Sequence, residues 1–169
     1  MKSHLFFVQS VLAMLAVSCS APAPVEPQVV DIPLPDRVGD VNDFSQVFTA
    51  PELAFLNAWI QMGRQQDSID MVVVTVDSTH VPDKDIRTFT LALGEKWKVG
   101  ETTNGMGTMV VFSPSLSAIQ VRHTNALSAK MSDAMTQKAI DSIFVPLLRE
   151  DQYLTACMAG LGYIREKSK

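Results

Sequence analysis

Ile69-Asp70-Met71-Val72-Val73-Val74-Thr75-Val76 is the stretch whose reading decides the fold. It is dominated by β-branched residues, which favour an extended backbone, and its apolar residues fall at both parities, the pattern of a strand covered on both faces. A sheet with helices on either side follows. This stretch is its central strand.

Upstream, Thr49 and Glu52 have capping-box spacing, with Phe48 and Leu53 placed as the hydrophobic staple around them. Leu53, Leu56, Ile60 and Gly63 then recur at helical spacing, and Phe55, Trp59 and Met62 widen that face, so the helix is expected to be covered over much of its circumference. Downstream, Asp83 is placed to cap a second helix with Ile86, Phe89, Leu93 and Trp97 in one stripe, and Lys96 and Lys98 fall at its end before Gly100. Strands are expected at Thr108 to Ser113 and Ser117 to His123, joined through Pro114-Ser115 as an antiparallel hairpin. In the last of these Ile119 and Val121 alternate with Gln120 and Arg122, which places it toward an edge. Ser132 is placed to cap a helix that Pro146 should kink, and Leu154, Cys157, Met158, Leu161 and Ile164 mark a final one. The expectation is a single-domain α/β/α sandwich with a small mixed sheet, in the order helix, strand, helix, strand, strand, helix, helix.

Ahead of the folded part, Lys2 and the apolar run Leu5 to Val17 lead to Leu15-Ala16-Val17-Ser18-Cys19. The run falls short of the ~20 residues that span a bilayer and matches a secretory leader. Small residues just before a cysteine read as a lipoprotein signal over residues 1–18, with Cys19 acylated by chains such as palmitate; an ordinary leader with an incidental Cys19 is the alternative. Residues 19–36 are proline-rich and read as a semi-extended tether, leaving a domain at 37–166.

Composition narrows the classes of partner. The net charge is -4, and loss of Lys2 with residues 1–18, which contain no acid, takes it to -5. A mildly acidic domain argues against nucleic acid. With Cys19 lipidated, Cys157 is alone, so no intramolecular disulfide forms and the core must hold the fold. A cysteine among Leu154, Met158 and Leu161 reads as a small core residue.

The succession Val41-Asn42-Asp43, Val72 to Ser78, Leu93-Gly94-Glu95-Lys96-Trp97-Lys98-Val99-Gly100, Gly107, Ser132-Asp133-Ala134 and Val145-Pro146-Leu147-Leu148-Arg149 with Tyr153 resembles the TPM domain family. The resemblance implies an α/β/α sandwich on exported or membrane-attached proteins, some of them similar to calcium-binding acid phosphatases, others linked to photosystem repair. Carried over position by position, it implies Asp43, Asp77 and Asp133 as metal ligands, with calcium as the ion. The family's Asp-Asn-Gly before the second strand is Gly105-Met106-Gly107 here, with Asn104 adjacent, and its Gly-Tyr-Gly-Leu-Glu after the third strand is Thr124-Asn125-Ala126-Leu127-Ser128. Asn125 tolerates left-handed geometry. Calcium wants 6 to 8 oxygens, and these departures remove acid groups. For each aspartate, local capping or turn formation is an equal reading.

Ser78, Thr79, His80 and His123 are the residue types nearest to phosphoryl-transfer needs, but His80 lies in a polar loop and His123 at a strand end, where exposed histidines without partners are the ordinary expectation. No nucleophile elbow, phosphate-binding Walker loop, Cys-x-x-Cys pair or His-Glu-x-x-His helix occurs. The sequence thus points to a lipid-anchored envelope protein on the inner face of the outer membrane, facing the periplasm and binding other envelope proteins as an accessory or quality-control factor. The alternative is a calcium-dependent acid-phosphatase-like hydrolase with an eroded site.

Overall fold

The computed structural model describes residues 33–169, so the leader, Cys19 and most of the tether lie outside the described residues. Among the described residues, one mixed sheet of four strands runs in the order β1 (Val41–Asp43), β2 (Asp70–Thr75), β3 (Gly107–Ser113), β4 (Ala118–His123). β1, β2 and β3 are parallel, and β4 returns antiparallel to β3. Every residue of β2 and β3 is buried. The expected order lacked β1, whose three residues are too few for an alternation to show.

The two faces of β2 carry separate cores. Met71 and Val73 join Val110, Phe112 and Val121 beneath Leu56 and Ile60 of α1 (Ala50–Asp67) and Cys157, Leu161 and Ile164 of α6 (Tyr153–Lys167). Val72, Val74 and Val76 join Met109 and Val111 against Phe89, Leu93 and Trp97 of α2 (Ile86–Lys96). The expected α/β/α sandwich is thereby present. Fully burying side chains such as Leu56 and Ile60 contributes about 1.5 to 3 kcal/mol each. Both crossovers step to the next strand in the same direction, yet α1 and α2 lie on opposite faces, so the two have opposite hands. One is left-handed, against the strong preference of parallel βαβ units.

Local signals act largely where the sequence places them. Glu52 accepts from the Thr49 N–H at 2.8 Å, and Ser132 accepts from the Met135 N–H at 3.3 Å. Asp85, not Asp83, caps α2: its side chain accepts from the Arg87 and Thr88 N–H groups, each at 3.1 Å, while Asp83 sits at φ 53 in the preceding 3-10 turn. Phe55 and Met62 are exposed, so α1 buries a narrower stripe than their hydrophobicity suggested. Pro146 follows a π turn at Ile140–Phe144 that links α4 (Asp133–Ala139) to α5 (Val145–Arg149). A widened turn absorbs the main-chain bond that proline cannot donate. A short α3 (Asn125–Ser128) follows β4.

The chain entering the domain is fastened earlier than the tether reading placed it. Leu34 packs against the α2 core, the Leu34 carbonyl accepts from Lys96 Nζ at 2.7 Å, and the Pro35 carbonyl accepts from Trp97 Nε1 at 2.9 Å. Next to it, Arg37 donates to Asp40 at 3.0 Å and to both oxygens of Asp70, at 3.0 and 3.2 Å; Arg64 donates to Asp40 and, at 2.8 Å, to Asp70. The Gly100 N–H completes the shell of Asp70 at 3.0 Å. Burial alone would raise the Asp70 pKa, but hydrogen bonds from Arg37 and Gly100 and the charges of Arg37 and Arg64 outweigh it and hold the carboxyl below its ordinary 3.8.

Two substitutions test this packing. Asp70→Asn leaves two arginines short of a counter-charge and should cost about 3 kcal/mol at neutral pH in urea unfolding. Because the folded carboxyl is depressed, that stabilisation is complete above the free carboxyl pKa and is lost as acid protonates the group, so the gap between wild type and variant should close below about pH 4. At Gly160 an added Cβ would stand 2.0 Å from Cζ of the fully buried Phe144, and Gly160→Ala should destabilise the domain by about 1 to 3 kcal/mol.

Candidate functional site

The three aspartates implied by the resemblance occupy two ends of the sheet. Asp43 ends β1 opposite Thr75, and Asp77 lies two residues beyond Thr75, so both stand at the C-terminal ends of the parallel strands. Asp133 is the first residue of α4 and lines a cavity with His123, which pairs with Thr108 at the start of β3. Thr108 and Phe112, the partner of Thr75 in β3, are four residues apart, about 13 Å along a strand. Asp43 and Asp77 share one end of the sheet; Asp133 stands toward the other. Among the described residues, no three His, Cys, Asp or Glu side chains gather as a metal centre.

Each of the first two carboxylates performs a local task. Asp43 accepts from the Val47 N–H at 3.1 Å, the Phe48 N–H at 3.0 Å and the Thr75 hydroxyl, fixing the chain that enters α1. Asp77 accepts from the hydroxyl and N–H of Thr79, at 2.6 and 2.8 Å, and lies 2.9 Å from His80 Nδ1. The Thr79 bonds lead, with a smaller contribution from His80, in lowering the Asp77 pKa to about 2. His80 also stacks on Phe44 with centroids 5.8 Å apart, so it has partners on two sides. Beneath this end, burial pushes the Cys157 thiol far up, with Asp43 adding to the shift, and leaves it unreactive.

The other end of the sheet is built around His123, and here too the expectation of an exposed ring does not hold. Nδ1 lies 3.0 Å from the Thr108 hydroxyl and Nε2 2.9 Å from the Thr136 hydroxyl, so the imidazole bridges β3 and α4. Burial lowers its pKa to about 4, and the charge of Asp133 only partly opposes that. Beside it, Gly100 and Gly107 bring two backbones together: a Cβ on Gly107 would meet the Gly100 nitrogen at 2.9 Å, and Gly100 holds φ 88. Asn104, in the loop before β3, is left-handed at φ 51, whereas Asn125, which tolerates that geometry, opens α3 instead.

Cavities follow the β4 edge. One of about 280 Å³ is bounded by Arg87 and Thr90 of α2, Gln120 to His123 of β4, and Asp133 and Thr136 of α4. One of about 400 Å³ lies beyond it, with Phe112, Ile119, Val145 and Leu148 as an apolar floor and Arg149 and Tyr153 among its lining. Tyr153 stacks on Phe112 at 5.8 Å and donates its hydroxyl to Asp151 at 2.5 Å. No sequence motif marks this surface, because its residues come from several elements, among them α2, β3, β4, α4, α5 and α6. The one available signal was Val145 to Arg149 with Tyr153, which the resemblance had already singled out.

The sheet order and the two-sided core together define a small α/β/α sandwich domain, and comparison with known proteins gives its family. The TPM domain model matches residues 41–167, and the chain belongs to the TPM domain family. Among solved structures, the N-terminal domain of a protein from P. gingivalis is similar with TM-score 0.66 and 20% identity, covering 75% of this chain and 80% of that one. The N-terminal domain of the cg2496 protein from Corynebacterium glutamicum gives TM-score 0.60 at 14% identity, over 89% and 86%. The BA42 protein from the psychrophilic bacterium Bizionia argentinensis gives 0.60 at 13%, over 73% and 83%. These likenesses show the fold. No curated protein sequence matches the chain.

The neutral histidine is testable. NMR titration should place the His123 midpoint near pH 4 instead of the ordinary 6.5. Since the unfolded ring takes its proton first, stability should fall as pH drops from about 6.5 to 4, by up to about 3 kcal/mol, and His123→Gln should flatten that slope.

Proposed function

We propose that this TPM domain serves as an accessory or quality-control factor of the bacterial cell envelope, binding other envelope proteins while lipid on Cys19 holds it to the inner face of the outer membrane. The observation that carries the binding reading is the division of the three aspartates between opposite ends of the sheet. A calcium-dependent phosphomonoesterase built on Asp43, Asp77 and Asp133 needs all three around one ion, with ligand distances of about 2.3 to 2.6 Å. The compartment reading rests on the leader and on Cys19. No described helix is long and apolar enough to cross a membrane.

Calorimetric titration of the domain with calcium should give the same isotherm for wild type and Asp133→Asn. A several-fold weakening in the variant, together with phosphatase turnover abolished by chelation, would overturn the binding reading in favour of the hydrolase. Cys19→Ser should move the protein from membrane to soluble fractions, and retention in the membrane would defeat the lipid assignment. Crosslinking in intact cells should return the same envelope partner in repeated experiments.

A further inference from the structure

Among the described residues, no strand pairs with the outer edge of β4. Thr124 donates its N–H to the Gly107 carbonyl at 2.9 Å, and the register sets Arg122 against Met109 and Gln120 against Val111. Bonded pairs alternate along an antiparallel ladder, so Ala118, Gln120 and Arg122 direct their main-chain groups to β3, while Ile119, Val121 and His123 direct theirs outward. Among the described residues no main-chain group of another element meets these outward groups. The single cover is a side chain: Gln120 Nε2 donates to the Val121 carbonyl at 3.2 Å.

The cavities of about 280 and 400 Å³ lie along this same edge, the first at Gln120 to His123 and the second at Ala118 and Ile119. Helix α2 forms one wall of the first, and α4 the other. Arginines stand along the length of the edge: Arg87 on α2, Arg122 on β4 and Arg149 at the end of α5. All three are exposed, and among the described residues none forms an ion pair. In a chain of net charge -4 these are three cations without an ion-pair partner among the described residues, although Glu95 lines an adjoining hollow with Arg122 and the charge of Arg87 reaches Asp85. Asp133 is the acid beside the first cavity, and Asp151, beside the second, is held by Tyr153.

We propose that the β4 edge takes an extended acidic segment of a partner protein as a fifth strand, with one apolar side chain of that segment in the 400 Å³ cavity and its carboxylates on Arg87, Arg122 and Arg149. Unpaired strand donors and acceptors supply affinity without regard to sequence, and the cavity and the arginines supply selection. A second copy of this chain fits poorly, because it brings the same three arginines to the interface and like charges oppose such pairing. The Gln120 amide blocks the Val121 carbonyl in the free protein and must swing away when a strand arrives. This inference rests on the binding reading and adds the surface and the chemistry of the partner.

The test uses the full chain and a displayed library of random 12-residue peptides. Selected peptides should carry an excess of Asp and Glu with alternating apolar residues. Binding of a selected peptide should slow amide hydrogen exchange of Ile119, Val121 and His123 at least tenfold and leave Gln120 and Arg122 unchanged. Arg122→Glu and Arg149→Glu, both surface changes that leave the core intact, should each weaken binding by about five- to tenfold. Absence of enrichment, peptides without acid excess, unaltered exchange at the three outward amides, or undiminished affinity in both variants would overturn the proposal. A photoreactive residue at Gln120 and another at Phe55, on the far helix, separate the two readings in cells. A partner captured through Phe55 alone overturns this inference and leaves the binding function standing, whereas capture through neither position overturns both.

Discussion

The carboxylate of Asp70 is the interaction on which the domain's assembly turns. At the first position of β2 it is 3% exposed, yet both oxygens are occupied, by two arginines and one backbone N–H. Those donors come from the entering chain, the last turn of α1 and the loop after α2. With Asp40 included the cluster has two positive and two negative charges, so burial leaves no net charge to solvate. A buried pair of this kind adds little stability over a well-packed apolar substitute, but losing one member is costly. Its role is therefore to fix how the pieces meet. In a fold with one left-handed crossover, the cluster ties the entering chain, the end of α1 and the loop after α2 to the base of β2.

Seen from that cluster, the sequence features most characteristic of the family are structural parts. Trp97 secures the incoming chain through its indole N–H, and Gly100 gives its N–H to Asp70 while approaching Gly107 too closely for any side chain. Asp43 and Asp77 tie down the segments that leave β1 and β2. These tasks account for aspartate and glycine at those positions by hydrogen bonding and backbone geometry alone, with no ligand required.

The β4 side of the molecule follows a different logic. His123 stays neutral because burial disfavours its charge, and its two hydroxyl partners lock α4 against the sheet. That lock sets the wall of the edge groove. Natural sheets usually blunt an open edge with charge or with a covering element, and Arg122 and the Gln120 amide are the charge and the cover at this one.

The sequence by itself determined the two-sided strand at Ile69 to Val76, the helix caps at Thr49 and Ser132, the Pro114-Ser115 hairpin, the edge position of the last strand and the family, because each is written in local spacing or side-chain chemistry. It did not yield β1, since three residues carry no period, nor the choice of Asp85 over Asp83 as cap, since adjacent aspartates compete and backbone geometry selects between them. It placed Asp70 inside an apolar run without its partners, because Arg37 and Gly100 reach it from 33 residues upstream and 30 downstream, and Arg64, though only six residues away, sits on the preceding helix. Tertiary structure alone decided which carboxylates meet. Asp43 and Asp77 share one end of the sheet and Asp133 stands at the other, a separation fixed by strand direction and register, which depend on how distant segments pair.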